Sequence, residues 1–284
     1  MKVLITGSNG YIGSNLCKFL SEKGIEVLKA GRGHECDYYL DLNSADKFVV
    51  PDVDVLIHLA GIAHKKNVTN DCFQNINSKA VRILAKKSKS KGIKRFIFMS
   101  TIGVNGSTSD TPILESDSIS PHNSYAESKA HAEKFISNIC KNSSMDFVII
   151  RPPLVYDKNA PGNYRKLKIM IENRIPLPFN SIRNHRNFCY LPNLLNMIFI
   201  ALSHKNASNQ VFLICDDLTQ STAEFISTIG NTNKIKPFLF NFPVFILRFL
   251  FKIFFMSGFS DALLENLLIS NQKAKKMLSW KPEI

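Results

Sequence analysis

The sequence predicts a doubly wound α/β fold, a parallel sheet with helices on both faces, joined to a smaller α+β lobe. Two observations carry this expectation. Short apolar, β-branched runs alternate with stretches of helical spacing through the first 151 residues, the pattern of right-handed βαβ crossovers. A glycine turn, Gly7-Ser8-Asn9-Gly10-Tyr11-Ile12-Gly13, stands directly after the first of these runs.

Lys2 to Thr6 reads as a buried parallel strand. Ser14 to Lys23 then has helical spacing. A strand, a glycine turn and a helix make a phosphate site. Gly7 permits a sharp turn, and Gly10 lets backbone approach a pyrophosphate. Gly13 lets the helix pack close to the strand, with its free N–H groups and positive dipole end facing the anion. The spacing is G-x-x-G-x-x-G rather than the G-x-G-x-x-G of ordinary dinucleotide-binding units.

Glu26 to Ala30 reads as the second strand and Asp37 to Leu40 as a short third. Val53 to Gly61 is a fourth, ending in the small residues Ala60 and Gly61. Phe73 to Lys87 reads as a helix, Arg95 to Ser100 as the fifth strand, Ser124 to Cys140 as a helix and Asp146 to Arg151 as the sixth strand. Ligands of such sheets lie off the carboxyl ends of the strands. Gly31-Arg32, Ala60-Gly61, Ser100-Thr101 and Pro152-Pro153 all fall there.

Beyond Arg151 the alternation breaks, and prolines punctuate loops and short helices. Gln210 to Cys215 is a further strand-like run and Ser221 to Ile229 a helix. The expected division is a dinucleotide-binding unit over 1–155, rejoined by parts of 185–230, and a substrate lobe over 156–284. Within that lobe, 238–256 is strongly apolar and reads as a helix. Its length nearly suits a bilayer, but Pro243, Arg248 and Lys252 oppose a span. Each cation costs ~2.5–3.5 kcal/mol at mid-membrane. A core or dimer-contact helix is the leading reading, with shallow attachment to a membrane surface as the alternative.

A hydrophobic content of 45% and a charged content of 21% are ordinary for a soluble globular chain. Six cysteines stand without a C-x-x-C pair, as expected of reduced thiols in a cytoplasmic protein. The N-terminus reads as a strand and not a signal peptide. The net charge of +13 concentrates around Lys86 to Arg95, where a helix ends. Cations suit a helix C-terminus, and no aromatic residues interleave there, so no nucleic-acid partner is expected. The seven histidines share no metal-type spacing and none is assigned to chemistry: His34 and His64, then His122, His131, His185 and His204, with His58 read as a core residue. No metal is expected.

Tyr125 and Lys129 stand four apart on one helical face. A nearby cation favours the phenolate, so the tyrosine is expected to have a lowered pKa and to act as general acid and base. Thr101, at the end of the fifth strand, can offer a hydroxyl to the same substrate oxygen.

These residues together resemble the extended short-chain dehydrogenase/reductase family. The glycine motif, Asp41-Leu42, Leu59-Ala60-Gly61, Asn75-Ile76, Ser100-Thr101, Tyr125-x-x-x-Lys129 and Arg151-Pro152-Pro153 carry the likeness, which runs on to Leu278-Ser279-Trp280-Lys281-Pro282. The resemblance implies a Rossmann-type fold, with Tyr125 as acid/base, Lys129 on the nicotinamide ribose and Thr101 on the reacting oxygen. It implies cofactor contacts from Gly7, Gly10, Tyr11, Ile12, Gly13, Arg32, Leu59, Ala60, Gly61 and Asn75. Asp41 and Leu42 would meet adenine, and Pro152 the nicotinamide. Arg186 would grip a nucleotide diphosphate, as an arginine fork suits, and Asn163 would touch substrate. A homodimer is also implied.

Three departures narrow the function. Gly31-Arg32 replaces the acid usual at the end of strand two in members that use NAD, which favours NADP(H). NAD(H) remains the alternative, with Arg32 stacked on adenine. Ile102-Gly103 replaces the two carboxyls of sugar-nucleotide dehydratases, so dehydration is not expected. The chain is also shorter than typical 4-epimerases. The expected activity is reduction of a 4-keto, UDP-linked hexose or N-acetylhexosamine for surface polysaccharide. The alternatives are 4-epimerisation of a UDP-hexose or UDP-N-acetylhexosamine, and a non-catalytic NAD(P)-binding scaffold. The expected site of action is the cytoplasm, with the inner face of the membrane as an option through 238–256.

Overall fold

The computed structural model describes residues 1–63, 68–254 and 257–283. The β-branched run Lys2–Thr6 forms β1, buried at the centre of a seven-stranded sheet. Helix α1 (Tyr11–Glu22) follows, then β2 (Glu26–Gly31), β3 (Tyr38–Tyr39) and β4 (Val55–His58). Next come α2 (Asn70–Gln74), one π turn (Asn75–Lys79) and α3 (Ala80–Lys91), a single rod where the sequence promised a simple helix over 73–87. Strands β5 (Arg95–Met99) and β6 (Ser109–Ile113) precede α4 (Ser124–Cys140), whose bounds match the sequence reading. β7 (Asp146–Arg151) does so too, and β8 (Val155–Tyr156) completes this half.

The second half holds α5 (Asn163–Glu172), β9 (Arg186–Asn187), β10 (Cys189–Tyr190), α6 (Leu191–Ala201), β11 (Gln210–Leu213), β12 (Thr219–Gln220) and α7 (Thr222–Thr232). Helices α8 (Val244–Ile253) and α9 (Ser257–Leu264), β13 (Leu267–Ile269) and α10 (Gln272–Leu278) end the chain.

The central sheet runs β11-β7-β5-β4-β1-β2-β3, and every pairing in it is parallel. Two apolar layers cover its faces. One joins α1 and α6 to the inward residues of the strands, and the other joins α3 and α4 to the opposite set. This is the predicted Rossmann-type arrangement. Its order reverses beside β1, so a crevice opens above the carboxyl ends of β1 and β4.

The chain returns to the central sheet at β11, within the 185–230 stretch, and packs against it again near residues 274–280. β11 extends the central sheet beyond β7, and Ala274, Leu278 and Trp280 pack into the first apolar layer. A second sheet, β12-β9-β13-β6, had no sequence forecast. Its strands are short, β6 contains Pro112, and only β13, Leu267–Ile269, is wholly apolar. β6, β9 and β12 carry no apolar run of their own and are ordered by pairing with their neighbours. The predicted third strand shrinks to Tyr38–Tyr39.

The stretch 238–256 is not one helix. Residues 238–242 are extended and bond to the chain at Leu177 and Asn180. Pro243 caps α8, which ends at Ile253. Proline lacks the N–H and has the φ that suits a helix start, so the helix begins at it and cannot run through it. Residues 255–256 and His64 lie outside the described residues. No helix among the described residues is long and apolar enough to cross a membrane.

Candidate active site

Two hollows lie end to end above the sheet and share Leu59, Gly61 and Ile62. One has a volume of about 430 Å³. It is lined by Gly7, Gly10, Arg32, Asp41, Leu42, Leu59, Ala60 and Gly61 among the predicted cofactor residues. The other, about 380 Å³, receives Tyr11, Ile12, Thr101, Tyr125, Lys129, Pro152 and Arg186. Residues read separately along 180 positions thus line one continuous crevice.

The glycine turn is built for close backbone approach. Gly7 has φ +71°, and a Cβ there would sit 2.7 Å from the Ala60 nitrogen. A Cβ on Gly13 would fall 2.1 Å from the Gly7 carbonyl oxygen. The turn closes through Gly10 N–H donating to Gly7 O at 3.0 Å. α1 starts at Tyr11, three residues earlier than the spacing suggests, and no side chain caps it. The first-turn N–H groups are therefore left for an anion. A dinucleotide pyrophosphate fits this cradle.

Gly13 contributes by packing alone and lines neither hollow. Asn75 departs from its expected place. It is exposed, accepts from Lys79 Nζ at 2.9 Å, and lines neither hollow. The π turn instead points its neighbour Asn77 inward. Asn77 Oδ1 accepts from Ile62 N–H at 2.9 Å, and its Nδ2 donates to Ile62 O at 2.8 Å. This fully buried side chain fixes the loop after β4, which is the wall between the hollows. A wide turn inside a helix at a functional site was the missing signal. Asn163 is exposed at the start of α5 and is not among the lining residues.

α4 presents Tyr125 and Lys129 on its inner face, started by Asn123 Oδ1 accepting from Ala126 N–H. Lys129 is buried and donates from Nζ to Met99 O at 2.8 Å. Its ammonium also lies over the Phe98 ring, 4.6 Å from the centroid. Burial pulls the amine down to about 8, against the opposing pull of Glu133. Glu133 itself pairs with Arg151 in a buried bridge of 2.5 Å and accepts from Ser100.

The Tyr125 phenol is pushed up to about 12 by burial, where the sequence suggested a lowered value. The cause is desolvation of the phenolate. Tyr125 is accordingly a neutral proton donor near neutral pH. Thr101 Oγ1 accepts from Gly103 N–H at 3.2 Å, and Thr101 lines the same hollow as Tyr125. A Cβ on Gly103 would sit 2.7 Å from the exposed His122 ring, which would have to move to admit it. No carboxylate stands among the described residues lining this second hollow.

At its far side Arg186 Nη1 donates to the carbonyl oxygens of Asp261 and Glu265, at 3.0 and 2.6 Å. Burial pulls the guanidinium down to about 10, with both acids opposing. A buried, charged fork on an otherwise apolar wall is suited to an anionic substrate group. Tyr11 contributes more than backbone. Its buried hydroxyl makes no hydrogen bond of ordinary geometry among the described residues, and burial together with nearby Asp157 pushes the phenol up.

Comparisons with known proteins agree with this geometry. Residues 3–215 match the family model "NAD dependent epimerase/dehydratase family". The chain is 33% identical to a UDP-glucose 4-epimerase of Vibrio cholerae, over 99% of this chain and 90% of that protein. It is 24% identical to a dTDP-4-dehydro-6-deoxyglucose reductase of Escherichia coli, over 99% of this chain and 93% of the other. A solved UDP-glucuronic acid 4-epimerase of Bacillus cereus in complex with NAD shares the fold. Its TM-score is 0.77 at 20% identity, covering 100% of this chain and 94% of that one.

Proposed function

Since the chain belongs to the NAD-dependent epimerase/dehydratase family of enzymes, we propose that it reduces the C4 ketone of a UDP-linked hexose or N-acetylhexosamine, with NADP(H) preferred. The observation that carries the reading is the composition of the second hollow. It has a neutral phenol donor, a buried ammonium and an arginine fork, but no carboxylate among its described lining. Elimination of water from the sugar needs an acid and a base at that wall, so dehydration has no agent.

A nicotinamide cofactor held in the first hollow would supply the hydride for C4. Tyr125 then hands its phenolic proton to the C4 oxygen as that oxygen gains charge. Lys129, fixed by the Met99 carbonyl, places positive charge beside the phenolate so formed, and its burial strengthens that interaction. Thr101 offers its hydroxyl to the same oxygen, and Arg186 holds the diphosphate so that C4 faces the phenol. Arg32 supports NADP(H), because the adenosine hollow has Asp41 as its only described carboxylate. That side chain is engaged with Asn43 N–H at 3.0 Å.

A second reading, 4-epimerisation, is favoured by the likeness to the Vibrio cholerae protein. The same residues would then take the proton from the C4 hydroxyl and return it after the keto sugar has turned in the cavity. The family resemblance further supports a cytoplasmic homodimer that serves surface-polysaccharide synthesis.

One assay separates the two reactions. The protein is incubated with NADPH and a UDP-4-keto sugar, and separately with UDP-glucose or UDP-N-acetylglucosamine. Reduction consumes one NADPH per keto sugar. Interconversion of the UDP-hexoses with no net change in nicotinamide absorbance would replace the reductase reading with the epimerase one.

A further inference from the structure

Helix α8 turns its apolar side outward. Phe245, Phe249 and Ile253 recur every four residues and form one stripe, with exposures of 74%, 62% and 50%. Leu247, on the opposite side, is buried against Leu263 and Leu264 of α9. The exposed aromatic surface continues along the chain on both sides, with Phe254 after the helix and Phe238 and Phe240 before it. Large apolar side chains set so densely on a surface mark an interaction site.

The charge carried by this segment of the chain has one sign. No acidic residue occurs between Glu224 and Asp261, whereas Lys234, Lys236, Arg248 and Lys252 all do. All four are exposed. At helical spacing Arg248 and Lys252 run along the flank of the phenylalanine stripe. Lys234, Lys236 and Arg174 surround a hollow that ends at Phe238. Of these cations, Arg248 is paired with Glu265 at 2.8 Å.

We propose that this face docks on an anionic membrane surface, with α8 lying in the plane of the interface. An amphipathic helix with a basic flank and an aromatic stripe is suited to that position. Ten residues rise only about 15 Å, half the ~30 Å of a hydrocarbon core, so the helix lies on the bilayer and does not span it. A second copy of this chain is a poorer occupant. A two-fold contact would bring the stripe's cations against their own mates, while Glu265 beside them is already paired with Arg248. The proposal is independent of the C4 chemistry, but α8 packs on α9, which supplies Ala262 to the substrate hollow and Asp261 to Arg186. Docking would set the sugar end of the crevice near the bilayer.

Co-sedimentation of the full chain with vesicles tests this. Phosphatidylcholine vesicles are compared with vesicles that also contain phosphatidylglycerol, at low and high salt. Binding is expected only with the anionic lipid and is expected to weaken as salt rises. The double variant F245S/F249S should lose about tenfold in vesicle affinity, and K252E should lose the preference for anionic lipid. Both substitutions are at exposed positions, and unchanged NADPH binding would report an intact fold. Absence of binding by the unaltered chain, or equal binding by F245S/F249S, would overturn the proposal. So would a dimer that F245S/F249S dissociates without any vesicle binding, which would assign the face to a second copy.

Discussion

At residue scale the site depends on how far burial shifts each group from its behaviour in water. Tyr125 stays protonated because its anion would be desolvated. The Tyr125→Phe enzyme should therefore lose about 10²–10⁴-fold in turnover with NADPH affinity within twofold of the parent. Full turnover by this variant would remove Tyr125 from the chemistry. His58 shows the same physics away from the cavity. Its Nδ1 meets Thr6 Oγ1 at 2.8 Å, and its Nε2 has no partner among the described residues. The ring lies against Phe96 and Phe98 of the neighbouring strand, with centroids 6.2 and 6.0 Å away. Burial first, then Lys129, pull its pKa down to about 3 from 6.5. The unfolded chain thus binds a proton that the folded one refuses. Stability is fully present above pH 6.5 and falls as the pH drops toward 3. At pH 4.5 this group alone should remove about 3 kcal/mol relative to pH 7. Denaturant titrations of the parent and a His58→Gln variant at both pH values measure the difference, and the variant should lose less on acidification.

At the scale of elements, the decisive device is the π turn between α2 and α3. An ordinary helix would leave the loop after β4 without the two hydrogen bonds that Asn77 makes to Ile62. Asn77→Ala leaves that buried N–H and C=O unpaired, a loss of about 1–3 kcal/mol. Because the loop is shared by both hollows, NADPH affinity should fall as well. Thermal unfolding and cofactor titration of the same variant report the two effects. A variant with unchanged affinity would show that the loop holds its shape without Asn77. α4 is a contrasting case. Its cap, its apolar face and the Tyr125–Lys129 spacing all lie within one stretch of chain, so its bounds could be read directly.

At the scale of the whole molecule, the C-terminal segment acts as a clasp. Trp280 is fully buried and donates from its indole to Asn193 O at 3.2 Å. It joins α10 to α6 and to the first apolar layer of the central sheet. Trp280→Ala should cost about 3–5 kcal/mol, seen as a lower midpoint in urea with catalytic constants unchanged below the transition. A loss under 1 kcal/mol would mean that the segment is only loosely attached.

The sequence by itself determined the central sheet, the glycine cradle and the phenol–ammonium pair. Each is written in a run of neighbouring residues, as a period of two, a period near four or an obligatory glycine. Only the tertiary structure decided that 109–113, 186–187, 219–220 and 267–269 form a second sheet. Only it brought Arg186 into the hollow that Tyr125 lines, replaced Asn75 by Asn77, divided 238–254 at Pro243 and raised the Tyr125 pKa instead of lowering it. Those outcomes depend on which distant groups exclude water from a site or complete its hydrogen bonds, and no local pattern of residues encodes that.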